Sequence, residues 1–174
     1  MRLLSIAIIA VAACNASASP PPQVGTKAPP IVGQTHDGQA FDLAAKKGQW
    51  TVLYFYPKDG TPGCTKQACA FRDATKQLTD LGVAIYGISR DSKERHQKFA
   101  AEHRLPFLLI ADPDGTITNA WGVSGAFRMS KRWTFVIDPE LVVRDVQKDV
   151  DPALNAEQVA AAVKRFLAAP AASP

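Results

Sequence analysis

The sequence predicts an α/β fold in which a central mixed β-sheet carries helices on its faces. Apolar runs rich in β-branched and aromatic residues alternate with segments whose apolar residues recur at helical spacing. Only a short turn separates the last two apolar runs, which indicates one antiparallel pair within the sheet. With 174 residues, the chain is long enough for one domain with a well-formed core.

The first two strands of this sheet flank a long helix. Residues 51–57 form a continuous apolar run, which is typical of a strand covered on both faces. Residues 64–82 read as a helix that ends near Gly82, with apolar residues on one side. Residues 83–89 form a second buried strand, and a polar helix follows from about Ser92 to His103.

The remaining predicted elements are shorter and complete a thioredoxin-like order. Asn155 and Gln158 have the spacing of a capping box that opens the last helix. The order resembles a thioredoxin fold with an N-terminal β-hairpin extension, and a fold alone does not specify a function. The predicted elements are a hairpin at 31–43 around Asp37-Gly38, strands at 107–112, 133–138 and 141–146, a short helix near 115–122 and a helix at 156–167.

The charge of the chain argues against a nucleic-acid partner. There are 20 Lys and Arg against 16 Asp and Glu, giving a net charge of +4 and a pI of about 9.1. Basic and acidic residues are interspersed, as in 92–104, and the sequence has no basic run interleaved with aromatic residues. We therefore expect a solvated, mixed-charge surface.

The N-terminus reads as an export signal, in one of two forms. One positive charge precedes an apolar run that is too short to span a membrane. Ala16-Ser17-Ala18 fits a signal-peptide cleavage site. Together these features predict an export signal over 1–18. Alternatively, Val11-Ala12-Ala13-Cys14 resembles a lipobox, so that a signal over 1–13 would leave a lipidated Cys14. A frayed apolar terminus on a cytosolic protein is the third interpretation. Export predicts a periplasmic protein, attached to the membrane only if Cys14 is lipidated.

The rest of the chain divides into three parts by composition. Residues 19–23 form a Pro-rich linker, residues 24–168 the folded domain, and residues 169–174 a tail with too little apolar surface to pack. The tail is expected to be disordered.

Cys64 is the first candidate for chemistry. Pro57 closes the first core strand and Pro62-Gly63 leads into the helix, so Cys64 lies in its first turn. Backbone N–H groups there lack helical partners and the helix dipole is positive, which favours a reactive thiolate. The alternative is a buried structural cysteine.

Cys69 follows Cys64 at a C-x₄-C spacing, which suits neither a zinc site nor a thioredoxin-type motif. Five helical residues correspond to a rise of roughly 7.5 Å and a rotation of about 140°. The two Cα atoms would lie about 8–9 Å apart, beyond the ~7 Å limit for an unstrained disulfide. If Cys64 and Cys69 are a redox couple, the first turns of the helix must unwind; otherwise Cys69 is an ordinary helix residue.

These residues carry a specific resemblance. Pro57-x-x-x-Thr61-x-x-Cys64 matches the P-x-x-x-T/S-x-x-C signature of peroxiredoxins, and Cys69 makes the chain similar to the bacterioferritin-comigratory-protein or PrxQ branch. The resemblance runs from about 24 to 167. Arg132 and the strand after it are similar to the family's R-x-S/T-F-x-I-D segment.

The resemblance implies a role for five residues. Cys64 would be the peroxidatic cysteine, which attacks the O–O bond and becomes a sulfenic acid. Thr61 would hydrogen-bond the peroxide and the thiolate, and Pro62 would shield the sulfur from solvent. Arg132 would stabilise the thiolate and the departing oxygen. Cys69 would be the resolving cysteine.

The assignment of the arginine depends on its sequence context. Arg128, Lys131 and Arg132 stand close together in a connection, 122–132, that is shorter than in many relatives. Arg132 is preferred because a Thr-Phe pair follows it at the family's spacing.

The resemblance implies a thiol peroxidase that reduces hydrogen peroxide and organic hydroperoxides without a cofactor or metal. Thioredoxin or another dithiol would recycle it, and a monomer is expected, with a dimer possible. A thiol–disulfide oxidoreductase is an alternative that the missing C-x-x-C disfavours, and a redox-regulated binding protein or holdase is another. A metal-binding module is disfavoured because His36, His96 and His103 lie in unrelated segments.

Overall fold

A computed structural model of the chain describes residues 19–169. The predicted cleavage site at 16–18, the lipobox ending at Cys14 and the tail after Ala169 lie outside the described residues. Their predictions therefore stay predictions.

The described chain contains seven strands and four α-helices, in nearly the predicted order. The strands are β1 Val32–Thr35, β2 Ala40–Asp42, β3 Trp50–Phe55, β4 Val83–Ser89, β5 Leu108–Ala111, β6 Thr134–Ile137 and β7 Val143–Gln147. The helices are α1 Pro62–Asp80, α2 Lys93–His103, α3 Thr116–Ala120 and α4 Asn155–Ala168, with short 3₁₀ turns at Ala44–Lys46 and Ala126–Arg128. Within residues 19–169, no helix combines the length and the apolar character that crossing a membrane requires.

All seven strands belong to one mixed sheet, in the order β2-β1-β5-β4-β3-β6-β7. The central strands β3, β4 and β5 run parallel, while β6 is antiparallel to β3, and β7 to β6. β1 and β2 form the expected hairpin, and β1 joins the sheet beside β5. The predicted α/β, thioredoxin-like fold with its N-terminal hairpin is confirmed.

Side chains of β3 alternate between the two faces of the sheet because successive residues of a strand point in opposite directions. Val52 and Tyr54 pack on the face covered by α1, α2 and α4. Leu53 and Phe55 pack on the opposite face, with α3 and the N-terminal hairpin. β3 therefore has no solvent-facing side, as its continuous apolar sequence predicted.

The helix that carries both cysteines begins two residues earlier than predicted, at Pro62. Proline is well tolerated at the first helical position, where its missing N–H would have no helical partner. The helix ends at Asp80, and Gly82 follows with a φ of +75°. This positive φ suits glycine after a helix end.

The predicted capping box of the last helix is wrong. Leu154 occupies the N-cap position, and Asn155 is the first helical residue with its side chain fully buried. Its amide points into the fold, where buried polar partners from other elements satisfy it.

The described part of the Pro-rich segment packs against the domain. The backbone N–H of Ser19 donates to the carbonyl oxygen of Asn119 (3.1 Å). A Cβ on Gly122 would come within 2.4 Å of the backbone nitrogen of Pro21, so only glycine permits this close approach.

Candidate active site

Cys64 lies where the chain passes from the end of β3 into α1. It is the third residue of the helix, and its side chain is buried, with 1% of its surface exposed. The Thr65 N–H donates to the Thr61 carbonyl oxygen at the helix entry (2.9 Å). The amides of Gly63 and Cys64 precede this turn, where backbone N–H groups lack helical acceptors. Cys64 thus stands at the positive end of the helix dipole, as predicted.

Arg132 is the cation that reaches the sulfur. Its Nη2 donates to Cys64 Sγ at 3.3 Å, and its Nη1 donates to Gln67 Oε1 at 2.7 Å. Arg132 precedes β6, and the antiparallel pairing of β6 with β3 brings it beside the start of α1. The guanidinium therefore brings a positive charge into direct contact with the sulfur.

The other two basic residues of the 122–132 connection point elsewhere. Arg128 Nη2 donates to the carbonyl oxygen of Pro113 (3.3 Å). Lys131 Nζ lies 5.5 Å from the ring centroid of Trp133. The structure therefore places Arg132, rather than Arg128 or Lys131, at Cys64.

A buried amide network behind Arg132 was not predicted. Gln67 and Asn155 are both fully buried; Gln67 Nε2 donates to Asn155 Oδ1 (2.8 Å), which also accepts from the Thr134 hydroxyl (2.9 Å). The amide of Asn155 donates to Gln147 Oε1 (2.9 Å). A signal was present in the sequence, since Gln67 follows Cys64 by three residues and so lies on the same helix face.

Thr61 and Pro62 form the entry to the helix that carries Cys64, Thr61 as its N-cap and Pro62 as its first residue. The Thr61 hydroxyl donates to the carbonyl oxygen of Lys58 (3.0 Å), which fixes the loop before the helix. Pro62 is exposed at the helix start, while Cys64 two residues later is buried. The hydroxyl of Thr61 thus donates to the backbone, and its oxygen can still accept a hydrogen bond.

Cys69 is a half-buried free thiol on the same helix as Cys64. The helix is continuous between them, so the separation of roughly 8–9 Å expected from helical geometry applies to this conformation. Cys64 belongs to the core cluster in which Tyr54 stacks on Phe71, with ring centroids 4.7 Å apart. Burial raises the pKa of Tyr54 well above its ordinary value, and nearby Asp59 and the cysteines contribute in the same direction.

One group within residues 19–169 has the composition of a metal site. Asp59, Asp91 and His96 are buried and offer ligand atoms within 4.8 Å of one another. Both carboxylates already accept hydrogen bonds from protein donors, and neither cysteine belongs to the group. The predicted absence of a cysteine-based metal site stays a prediction.

Comparison with known proteins identifies the family. The AhpC/TSA family description matches residues 24–146, which is most of the chain. The chain belongs to the AhpC/TSA family. Peroxiredoxin Bcp of Bacillus subtilis is 42% identical over 125 residues, covering 68% of this chain and 80% of that protein.

Two solved structures extend the similarity to the fold. Peroxidoxin BcpB from Mycobacterium tuberculosis superposes with a TM-score of 0.78 at 31% identity, covering 83% of this chain and 98% of the other. Peroxiredoxin Q of Xanthomonas campestris gives a TM-score of 0.74 at 33% identity, covering 78% and 90%. The predicted resemblance to the Bcp and PrxQ peroxiredoxins is confirmed.

This peroxiredoxin is a thiol peroxidase, an oxidoreductase that uses peroxide substrates and a thiol reductant. The chemistry requires a reactive thiolate. Within the described residues, Cys64 is the cysteine with a guanidinium at its sulfur and a helix N-terminus around it.

Proposed function

We propose that this peroxiredoxin reduces hydrogen peroxide and organic hydroperoxides with Cys64 as the attacking cysteine. The observation that supports this proposal is the 3.3 Å contact between Arg132 Nη2 and Cys64 Sγ at the N-terminus of α1. The guanidinium and the free amides of the first turn supply positive potential from two directions. The thiolate is the species that the reaction consumes.

The first step makes one bond and breaks one. The Cys64 thiolate attacks an oxygen of the peroxide, forming an S–O bond as the O–O bond breaks. The departing hydroxide or alkoxide takes up a proton and leaves as water or alcohol, and Cys64 becomes a sulfenic acid. Arg132 stabilises the charge on the departing oxygen, and the hydroxyl of Thr61, the N-cap residue of α1, positions the peroxide.

The second step uses Cys69. Its thiol attacks the sulfenic sulfur of Cys64, so that a disulfide forms and water leaves. This step requires the first turns of α1 to open, because an intact helix holds the two Cα atoms too far apart. A thioredoxin-type dithiol then reduces the disulfide and returns both thiols.

A peroxide-consumption assay tests the first step. Cys64→Ser should abolish turnover with dithiothreitol or thioredoxin as reductant, because serine supplies no thiolate at this position. Circular dichroism should show a folded protein. Substantial turnover by this variant would contradict the assignment of Cys64.

Peptide mapping after a peroxide titration tests the second step. Wild-type protein should form an intramolecular Cys64–Cys69 disulfide, with faster amide exchange at 64–72 because the helix has opened. Cys69→Ser should react once with peroxide and proceed to sulfinic acid under excess peroxide. Exclusively intermolecular disulfides in the oxidised wild type would remove Cys69 from the role of resolving cysteine.

The location of the protein is also part of the proposal. Export to the periplasm rests on the apolar N-terminus, with a mature chain that starts at Ser19 or at a lipidated Cys14. Intact-mass measurement on protein from the native host separates the two forms, and a cytosolic chain that retains Met1 would contradict both. Sedimentation of the purified domain would test the expected monomer.

A further inference from the structure

A second buried polar cluster lies before the active-site helix. We call it the Asp59 cluster, and it consists of Tyr56, Asp59, Asp91, Arg95 and His96. Four of these side chains are buried, while Arg95 reaches in from the surface. None of its members has a part in the peroxide chemistry proposed above.

The side chain of Asp59 joins β3 to α2. Its Oδ1 accepts from the Tyr56 hydroxyl (2.7 Å), and its Oδ2 lies 2.7 Å from His96 Nδ1. Burial, with Asp59 nearby, raises the pKa of Tyr56 well above its ordinary value, so the phenol acts as a donor.

The backbone of the same residue is held as well. The Asp59 N–H donates to Asp91 Oδ2 (2.8 Å), and Arg95 Nη2 donates to the Asp59 carbonyl oxygen (3.0 Å). Asp91 is itself fixed by the Ser89 hydroxyl (2.6 Å) and by an ion pair with Arg95 (2.9 Å). Asp59 is thus fixed through both its backbone and its side chain.

The ring of His96 connects Asp59 to the backbone of β5. Its Nε2 lies 3.2 Å from the carbonyl oxygen of Ile110, and its Nδ1 faces the Asp59 carboxylate. Both ring nitrogens of His96 thus face oxygen atoms, so its ring is held from two sides within the fold.

The anchors of Asp59 come from Tyr56 directly after β3, from α2 and from Asp91 between β4 and α2, and none comes from α1. Asp59 precedes Thr61 by two residues, and Gly60 between them has a φ of +73°. The cluster therefore fixes the chain immediately before the helix N-cap, independently of the helix.

We propose that the Asp59 cluster is a positioning device for the peroxide step, holding loop 57–61 so that Thr61 and the first turn of α1 face the substrate. This inference rests on the proposed function of Cys64. Its role is geometric, because its anchors do not include Arg132, which reaches the sulfur from the segment before β6. Small displacements of reacting groups are costly in rate.

Two variants of Asp59 separate geometry from charge. Asp59→Ala removes both side-chain bonds and should lower the second-order rate constant of Cys64 with hydrogen peroxide about ten- to a hundredfold. Asp59→Asn can keep both bonds, since its oxygen accepts from Tyr56 and its amide donates to a neutral His96. The asparagine variant should recover most of the wild-type rate.

The rate at which iodoacetamide alkylates Cys64 distinguishes a positioning role of the Asp59 cluster from a role in fold stability alone. Alkylation needs the thiolate but no positioned peroxide, so its rate should be unchanged in Asp59→Ala while the peroxide rate falls. If the cluster merely stabilised the fold, alkylation would accelerate as Cys64 became exposed.

Asp138 supplies a matched control. It is a buried carboxylate that accepts two backbone N–H groups and pairs with Arg144. It lies at the far end of the sheet from Cys64, because Ile137 pairs with Thr51 at the start of β3. Asp138→Ala should lower the melting temperature and leave the peroxide rate constant unchanged.

The outcomes that overturn the inference are distinct from failure of the proposed function. A folded Asp59→Ala protein with the wild-type peroxide rate, or one with accelerated alkylation, overturns it. If Asp59→Ala does not fold, Tyr56→Phe removes one of the two side-chain bonds and keeps the ring, and a wild-type peroxide rate in that variant overturns the inference. Peroxide turnover by Cys64→Ser would instead refute the function itself.

Discussion

Arg132 Nη2 lies 3.3 Å from Cys64 Sγ although the two residues are 68 positions apart in the chain. The contact forms because Arg132 precedes β6, which pairs antiparallel with β3, the strand that leads into the Cys64 helix. The side-chain oxygen of Gln67 accepts from Nη1, the second terminal nitrogen of the guanidinium. The arginine is therefore oriented by the same helix that carries the cysteine.

Arg132→Ala should slow the reaction of Cys64 with peroxide by about two to three orders of magnitude, the usual effect of removing one such donor. Stopped-flow tryptophan fluorescence measures this rate. Arg128→Ala is the matched control, because Arg128 contacts the Pro113 carbonyl, and its rate should stay near that of wild type. The reverse order of effects would mean that Arg132 has no catalytic role.

Gly63→Ala should move the guanidinium away from the sulfur. A Cβ at this position would lie 3.3 Å from Arg132 Nη2, closer than most such contacts, and the flexible arginine is the group that yields. The expected result is a peroxide rate between those of wild type and Arg132→Ala, with thermal stability little changed. A wild-type rate would show that the arginine tolerates the displacement.

Gln67→Ala should reduce both activity and stability. The change leaves Arg132 Nη1 without its acceptor and removes one of the two donors to Asn155 Oδ1 in a buried region, which costs about 1–3 kcal/mol in free energy of unfolding. Urea unfolding measures the stability, and the peroxide rate should fall because the guanidinium is no longer oriented. Full activity in a destabilised variant would limit Gln67 to a structural role.

Gly87→Ala should destabilise the core without touching the chemistry of Cys64. A Cβ on this β4 residue would lie 2.6 Å from the Tyr54 ring and hydroxyl and 2.7 Å from Leu109. Overpacking of this kind typically costs about 1–3 kcal/mol. Gly33→Ala is the control, since its Cβ would meet only side-chain atoms at 3.4 Å, and thermal melts of the two variants should differ clearly.

Acidification should destabilise the protein partly through His36. Burial lowers the pKa of His36 from its ordinary value of 6.5, and its Nδ1 accepts from the Leu109 N–H (3.1 Å). As the pH falls, His36 therefore takes up a proton in the unfolded chain before it does so in the folded one. The stability that neutral His36 contributes to the fold is fully present above about pH 6.5 and is lost as the pH falls below that value.

Asparagine at position 36 tests that pH dependence, because its side chain can accept the same bond and does not titrate. Urea unfolding at about pH 7.5 and about pH 5.5 should show a smaller loss of stability in His36→Asn than in wild type. Equal losses in the two proteins would assign the acid sensitivity to other groups.

The element order and the place of Cys64 were predictable because their signals are local. Apolar runs of strand character and the Pro62-Gly63 entry to a helix depend on neighbours within a few residues. The capping-box prediction failed although Asn155 and Gln158 had the correct spacing, because partners distant in sequence recruited the Asn155 side chain.

The sequence by itself determined the α/β order, the C-x₄-C pair on one helix and the place of Cys64 in the first turn of that helix, since helical spacing and helix ends follow from adjacent residues. Only the tertiary structure decided which cation meets the sulfur. Arg128, Lys131 and Arg132 are all basic residues of one short connection, so the sequence offers three candidate cations. The register of β6 against β3 places Arg132 at the sulfur. The Asp59 cluster likewise exists only after the segments around β3, β4 and α2 have packed, because Asp91, Arg95 and His96, which hold Asp59, are more than 30 positions from it.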